Sequence, residues 1–232
     1  MNEIIRKRKS IRKYDQNKLD ESVLAKVREK IANVKPLYPG IRYTIEITDK
    51  AKGVFGVVAP HYLVFGSEEK DGFLENVGFV GQQMDLFFSA SGLGACWLGM
   101  AKPEERGADA QPMVICMAFG MPAEPLHREF SAFKRKALAE MSEGDDPRLE
   151  AARLAPSARN GQNWFFAAVD GKIHCYRKAQ NPLADMIMSK FPPIDMGIAL
   201  CHIAEESENF TFGKDTGVPD RKGYIYTGTV GI

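Results

Sequence analysis

Two short segments carry the residue types that could do chemistry in this chain. The first is Arg6-Lys7-Arg8-Lys9-Ser10-Ile11-Arg12-Lys13-Tyr14. It belongs to a start with six cations against the single acid Glu3, on a chain whose formal net charge is only +1. Guanidinium groups make planar, charge-assisted hydrogen bonds to phosphate, and a serine hydroxyl adds a short donor, so the composition suits a phosphate monoester. A solvated basic tail and a nucleic-acid patch share that composition, and charge alone does not separate the three. The second segment is Leu154-Ala155-Pro156-Ser157-Ala158-Arg159-Asn160-Gly161-Gln162-Asn163-Trp164. Here Pro156 stops a helix, and Ser157, Asn160 and Gln162 present donors and acceptors from a loop just before a strand, able to grip a heterocycle edge or a ribityl chain. The same residues also suit a turn that only satisfies its own backbone.

Other chemistry is thinly represented. Cys96, Cys116, Cys175 and Cys201 are far apart, form no CxxC pair and have apolar neighbours, which predicts reduced core thiols and argues against metal ligation. His61, His127, His174 and His202 are isolated, and structural or surface roles are expected for each. No nucleophile, triad or G-x-G-x-x-G fingerprint stands out, since Gly92, Gly94 and Gly99 have the wrong spacing. Arg128, Lys134 and Arg135, in an expected basic helix after Pro122, are weaker phosphate candidates whose plain reading is a solvated helix face. The near-neutral total argues against nucleic acid as the partner. No apolar core follows the basic start and no apolar run approaches the ~20 residues of a membrane helix, so a cytoplasmic protein without a membrane partner is expected.

The elements that must position these segments are legible in outline. The 232 residues, 44% hydrophobic and 26% charged, suffice for one large domain or two small intertwined ones. Asp20 is a suitable N-cap, and Val23, Leu24, Val27 and Ile31 share one face of a helix over 21–33. Tyr43, Ile45 and Ile47 alternate with polar residues as a half-buried strand does. A strand at His61–Phe65, a helix from about Leu74 to Gly92, apolar on most sides, and a buried strand over Met113–Phe119 follow. The boundary falls at Ser142–Pro147, where Asp146 and Pro147 are expected as N-cap and first residue of a helix ending near Ala155. Strands at Trp164–Val169 and Ile173–Arg177 joined by an Asp170-Gly171 turn, a helix over Ile194–Glu206 and a strand at Tyr224–Val230 complete a second series. Both series run helix, loop, strand, strand, long helix, strand, with the first half at 1–141 and the second at 142–232. Order alone leaves duplication open.

Together the two segments resemble signatures of the nitroreductase family of FMN enzymes. Arg8, Ser10, Arg12, Lys13 and Tyr14 are similar to the family's RxSxR with its following basic and aromatic residues. Pro156, Ser157, Ala158, Asn160, Gln162 and Trp164 are similar to its PSAxNxQPW, with Asn163 where Pro is usual. Gly92-Leu93-Gly94-Ala95-Cys96-Trp97 resembles its GLGxxW, and Phe119-Gly120-Met121-Pro122 its strand ending in GxP. More than a hundred residues separate RxSxR from PSAxN here, an order resembling a single-chain subgroup in which two family-like halves mimic the usual homodimer. The first half keeps RxSxR and has lost PSAxN at Lys35–Arg42, while the second keeps PSAxN and lacks RxSxR.

The resemblance implies an α+β fold in which each half is a mainly antiparallel sheet packed with helices, and one composite FMN site per chain. It implies FMN contacts from Arg6, Arg8, Lys9, Ser10 and Arg12 on one side and from Pro156, Ser157, Ala158, Asn160 and Gln162 on the other. Arg12 would approach the pyrimidine side of the flavin, where a cation stabilises the negative charge of the reduced form. No side chain need be catalytic, because flavin N5 carries the chemistry, with NADH or NADPH docking transiently as electron donor. The expected activity is NAD(P)H-dependent reduction of a nitroaromatic, quinone or similar electron-poor small molecule. An FMN-binding protein without turnover is the alternative. Either a monomeric pseudo-dimer or a homodimer is compatible with this reading.

Overall fold

The computed structural model describes residues 2–179 and 188–231. Its helices are α1 (Glu3–Lys7), α2 (Glu21–Asn33), α3 (Phe73–Ala90), α4 (Leu138–Met141), α5 (Leu149–Leu154) and α6 (Phe191–Glu205). Its strands are β1 (Tyr43–Thr48), β2 (Ala51–Lys52), β3 (His61–Ser67), β4 (Gly94–Leu98), β5 (Lys102–Pro103) and β6 (Met113–Gly120), then β7 (Ser142–Glu143), β8 (Trp164–Val169), β9 (Lys172–Lys178), β10 (Phe212–Gly213) and β11 (Tyr224–Val230).

The strands form two main sheets, as the α+β expectation requires. The first has the order β1-β3-β6-β4 and is antiparallel throughout. The second has the order β10-β11-β9-β8-β7, antiparallel except where β7 joins β8. Within each sheet two successive strands pair, a long helix follows, and a later strand returns beside the second of them: β1, β3, α3, β6 and β8, β9, α6, β11. β2 and β5 form a separate short ribbon.

Between the sheets, α3 and α6 cross in contact. A Cβ on Gly78 would strike the Ile194 carbonyl, and one on Gly197 the Glu75 carbonyl, so the two backbones meet where only glycine fits. One buried cluster runs from Phe65 and Phe119 of the first sheet through Val80 and Leu200 of these helices to Phe166 and Val230 of the second. Burial on nearly every face explains why both helices read as apolar with little periodicity.

Several local expectations need correction. Asp20 makes no side-chain cap; its carbonyl accepts the Val23 and Leu24 amides instead. α5 starts at Leu149 and not at Pro147, because the Asp146 carboxylate is taken by the Arg148 amide at 2.9 Å and its guanidinium at 2.7 Å. α6 begins three residues early, with Pro192 and Pro193 tolerated in its first turn, where no amide partner is needed. The stretch after Pro122 is not a helix: a single 3-10 turn, Phe130–Ala132, interrupts a chain that runs alongside the N-terminal segment.

Candidate functional site

The N-terminal segment lies extended against the edge of the first sheet. Ile11 donates its amide to Ala95 O at 2.9 Å, Ala123 N binds Lys13 O at 2.9 Å, and Arg128 N binds Lys7 O at 2.9 Å. Ile11 and Tyr14 are buried, and the Tyr14 hydroxyl closes on Ile11 O at 2.7 Å. Extended backbone alternates its side chains, so burying Ile11 turns Ser10 and Arg12 the other way, into a cleft. Arg8 is almost wholly enclosed and pairs through Nε with Asp85 Oδ2 of α3 at 2.8 Å. Burial pushes the Asp85 carboxyl above the usual range, opposed first by Arg8 and then by Gln82, whose Nε2 donates at 2.9 Å. Gln82 also meets His202 Nε2 at 3.0 Å and receives the Trp97 indole N–H at 3.3 Å. His202 donates from Nδ1 to Ala151 O at 2.9 Å, leaving Nε2 as the acceptor.

The second segment faces the first across the cleft. Leaving α5 at Pro156, it is fixed by Ala158 N to Asp195 Oδ1 at 2.9 Å, Asn160 N to Ser157 O at 2.9 Å and Gln162 N to Ser157 Oγ at 3.0 Å. Arg159, Asn160 and Gln162 all have left-handed backbones, with φ of 52, 56 and 48°. Such conformations are strained for non-glycine residues and persist where the surroundings dictate them. The dictating contacts come from residues 134–136. Asn160 accepts from Arg135 at 2.6 Å and donates to Lys134 O at 2.7 Å, while Gln162 accepts the Lys136 amide at 2.8 Å.

The cleft has two contiguous ends. One is a basic hollow of about 410 Å³ lined by Arg8, Arg128, Lys134, Arg135 and Asn160. The other is an apolar slot of about 290 Å³ lined by Trp97, Gly99, Ile115, Ala158, Phe191 and Asp195. Ser10, Arg12, Pro156, Ser157 and Arg159 border both. Arg128 and Arg135 are each pushed down to about 10, first by burial and then by Arg8 and other neighbouring cations. Both pack on the Phe133 ring, at 4.7 and 5.5 Å, and the Nε of each is buried without a hydrogen-bond partner among the described residues. Crowded, desolvated guanidiniums of this kind are stabilised by an anion between them.

Of the residues singled out from sequence, Arg8, Ser10, Arg12, Pro156, Ser157 and Asn160 line the basic end, and Ala158 lines the slot. Arg6, Lys9 and Gln162 do not line either. The Arg6 guanidinium lies 4.7 Å over Phe130, Lys9 pairs with Glu124 at 3.4 Å, and Gln162 is a buried strut beneath the loop. Arg128, Lys134 and Arg135 sit at the centre of the basic end, more prominently than sequence suggested. Arg159 and Asp195 were missed; only the charge of Asp195 inside an apolar helical run marked it. All four cysteines are free and buried. Among the described residues no His, Cys, Asp and Glu cluster could hold a metal, and no helix is long and apolar enough to cross a membrane.

A structure from Thermotoga maritima described as a "putative nitroreductase" superposes on 99% of this chain and 92% of its own, with a TM-score of 0.66 at 24% identity, and so shares the fold. The family model described as "Putative TM nitroreductase" matches residues 1–207, and the chain belongs to that family. It thereby joins the nitroreductase type of oxidoreductase. An FMN-dependent nitroreductase from Clostridium difficile R20291 overlaps 56% of this chain and 93% of its own at 18% identity and a TM-score of 0.44. A nitroreductase family protein from Clostridium difficile 630 overlaps 60% and 96% at 17% and 0.47. No curated protein matches the chain.

Proposed function

We propose that this chain is an FMN-dependent NAD(P)H oxidoreductase that reduces a small electron-poor acceptor such as a nitroaromatic or a quinone. The observation that carries the reading is the joining of an anion-seeking arginine cluster to an apolar slot, with the two candidate segments facing each other across the join. A phosphate monoester fits the cluster, because Arg128 and Arg135 hold buried Nε groups that lack partners among the described residues. A planar aromatic heterocycle fits the slot between Trp97, Ile115 and Phe191.

When bound, FMN would supply hydride acceptance and donation at its N5. The chain's own residues would do the rest. Arg8, Arg128 and Arg135 would hold the phosphate, with Lys134 adding charge at the rim. Arg12, at the junction of the two ends, would offset negative charge on the pyrimidine side. Ser157 and Asn160 would hold the flavin from the opposite side, and Pro156 and Ala158 would pack beside it. The apolar walls would exclude water from the reacting face, strengthening each of these electrostatic contacts. With no dinucleotide fingerprint in the chain, NADH or NADPH and the acceptor would dock in turn at the open side of the slot.

Titrating the protein with FMN and with riboflavin tests this reading. FMN is expected to bind with visible colour and at least about tenfold more tightly than riboflavin, the value of one charge-assisted hydrogen bond. Arg135→Ala is expected to erase most of that difference. Protein that ignores added FMN would sink the proposal; bound FMN that neither NADH nor NADPH bleaches without oxygen would leave a flavin-binding protein without turnover.

A further inference from the structure

Asp195 lies one turn into α6, only 3% exposed, and lines the apolar slot. Its Oδ1 accepts the Ala158 amide at 2.9 Å and so ties the Pro156–Asn160 loop to the helix. Its Oδ2 is buried and has no hydrogen-bond partner among the described residues. A carboxylate oxygen left bare in an apolar cavity is unfavourable, and the group escapes that cost by taking up a proton. Burial pushes the Asp195 carboxyl up to about 7, with only the Ala158 N–H acting against it. The ionisable groups that line the same slot are Arg12, Arg159 and the Cys96 thiol; elements packed around α6 add Glu75, which faces Arg177 at 3.9 Å, Asp85, which faces Arg8, Lys190, which donates to Val114 O at 3.0 Å, and Glu150 and Arg153 of α5, which pair with each other.

The position of the proton follows from these contacts. Oδ1 already accepts an N–H, so the acid proton belongs on Oδ2, the buried oxygen without a partner among the described residues. We propose that Asp195 is the specificity-determining residue of the slot, a neutral carboxylic acid donating an Oδ2–H hydrogen bond to a carbonyl oxygen or ring nitrogen on the heterocycle held there. The proposal rests on the flavin reading above, in which that heterocycle is FMN. It makes the slot selective for ligands presenting an acceptor atom at this depth. Ligands that are apolar there leave the acid unpaired, and anionic ones meet repulsion once Asp195 ionises.

FMN affinity measured from pH 5.5 to 9 for the wild type and Asp195→Asn tests the idea. The asparagine variant keeps an oxygen for Ala158 and offers an N–H at the position of Oδ2 at every pH. FMN's own phosphate titrates near pH ~6 in both proteins, so the ratio of the two dissociation constants isolates Asp195. That ratio is expected to be flat below about pH 7 and to rise by up to about tenfold per pH unit above it, as the wild type loses its donor. Should the variant not fold, calorimetric FMN titration of the wild type at pH 8 in buffers of different ionisation enthalpy decides the same question, through uptake of close to one proton per FMN. A flat ratio across the range, or no proton uptake, overturns the role of Asp195 while leaving the flavin reading intact. Absence of FMN binding to the wild type at every pH overturns both.

Discussion

Arg8 shows how a candidate site residue can serve as framework and still present a free face to a cavity. Its pairing with Asp85 neutralises a charge that would be prohibitively placed alone, and the free side of the guanidinium still borders the basic hollow. Removing one partner of such a pair strands the other, which typically costs about 3–5 kcal/mol. Asp85→Ala is therefore expected to lose about 3 kcal/mol in urea unfolding. Added FMN should raise the melting temperature of the variant more than that of the wild type, because a bound phosphate gives Arg8 a new counter-ion. Arg8 was legible in sequence because its motif pairs cations with a hydroxyl; Asp85 was not, since an acid ten residues from the next on a mostly apolar helix announces no partner. Lys9 and Arg6 show the converse. Their charge made them candidates, but Glu124 and the Phe130 ring, more than a hundred residues away, claim them.

At the level of elements, α6 carries two buried titratable groups whose pH effects oppose each other. His202 is pushed down from its ordinary 6.5 to about 3 by burial, so folding favours its neutral form. Its contribution is present above pH 6.5 and is lost as pH falls toward 3. Asp195 is pushed up from 3.8 to about 7, so its contribution is present below 3.8 and is lost as pH rises toward 7. Between these limits the two slopes largely cancel. Asp195→Asn is expected to expose stability that climbs with pH between about 4 and 6.5, and His202→Gln stability that declines, each by up to about 1.4 kcal/mol per pH unit. Denaturant melts at pH 4.5, 5.5 and 6.5 check both signs; parallel profiles in all three proteins would refute the assignment. The helices themselves were legible because the stretches Leu74 to Gly92 and Ile194 to Glu206 are apolar on most sides over lengths beyond those of strands. The stretch from Arg128 to Arg135 misled, since its spaced charges mimic a solvated helix face while the conformation is set by stacking on Phe133 and by hydrogen bonds to a loop twenty-odd residues later.

For the whole molecule, the cleft draws one wall from residues 8–12 and the other from 156–160 of a single chain. We infer that this is the family's two-subunit arrangement written into one polypeptide, an inference supported by the matching succession β1, β3, α3, β6 and β8, β9, α6, β11. The expected consequence is one FMN per 25.8 kDa chain at saturation, with an affinity that does not change on dilution. Calorimetric stoichiometry alongside sedimentation checks this; half-occupancy, or binding that weakens on dilution, would point to a site completed by a second chain. Sequence could propose the pairing of segments but not their distance, because closing a loop of that length depends on the α3–α6 contact and not on any local signal.

That contact also limits how the enzyme can adapt. Gly197 meets α3 two residues beyond Asp195, so the deep end of the slot is anchored where two helix backbones touch with no room for a side chain. The opposite end is bordered by the half-exposed Met100 and by the left-handed loop around Arg159. Shifts in which molecules are accepted would therefore arise by exchanging residues at the mouth, while the floor continues to demand the same hydrogen-bonding edge.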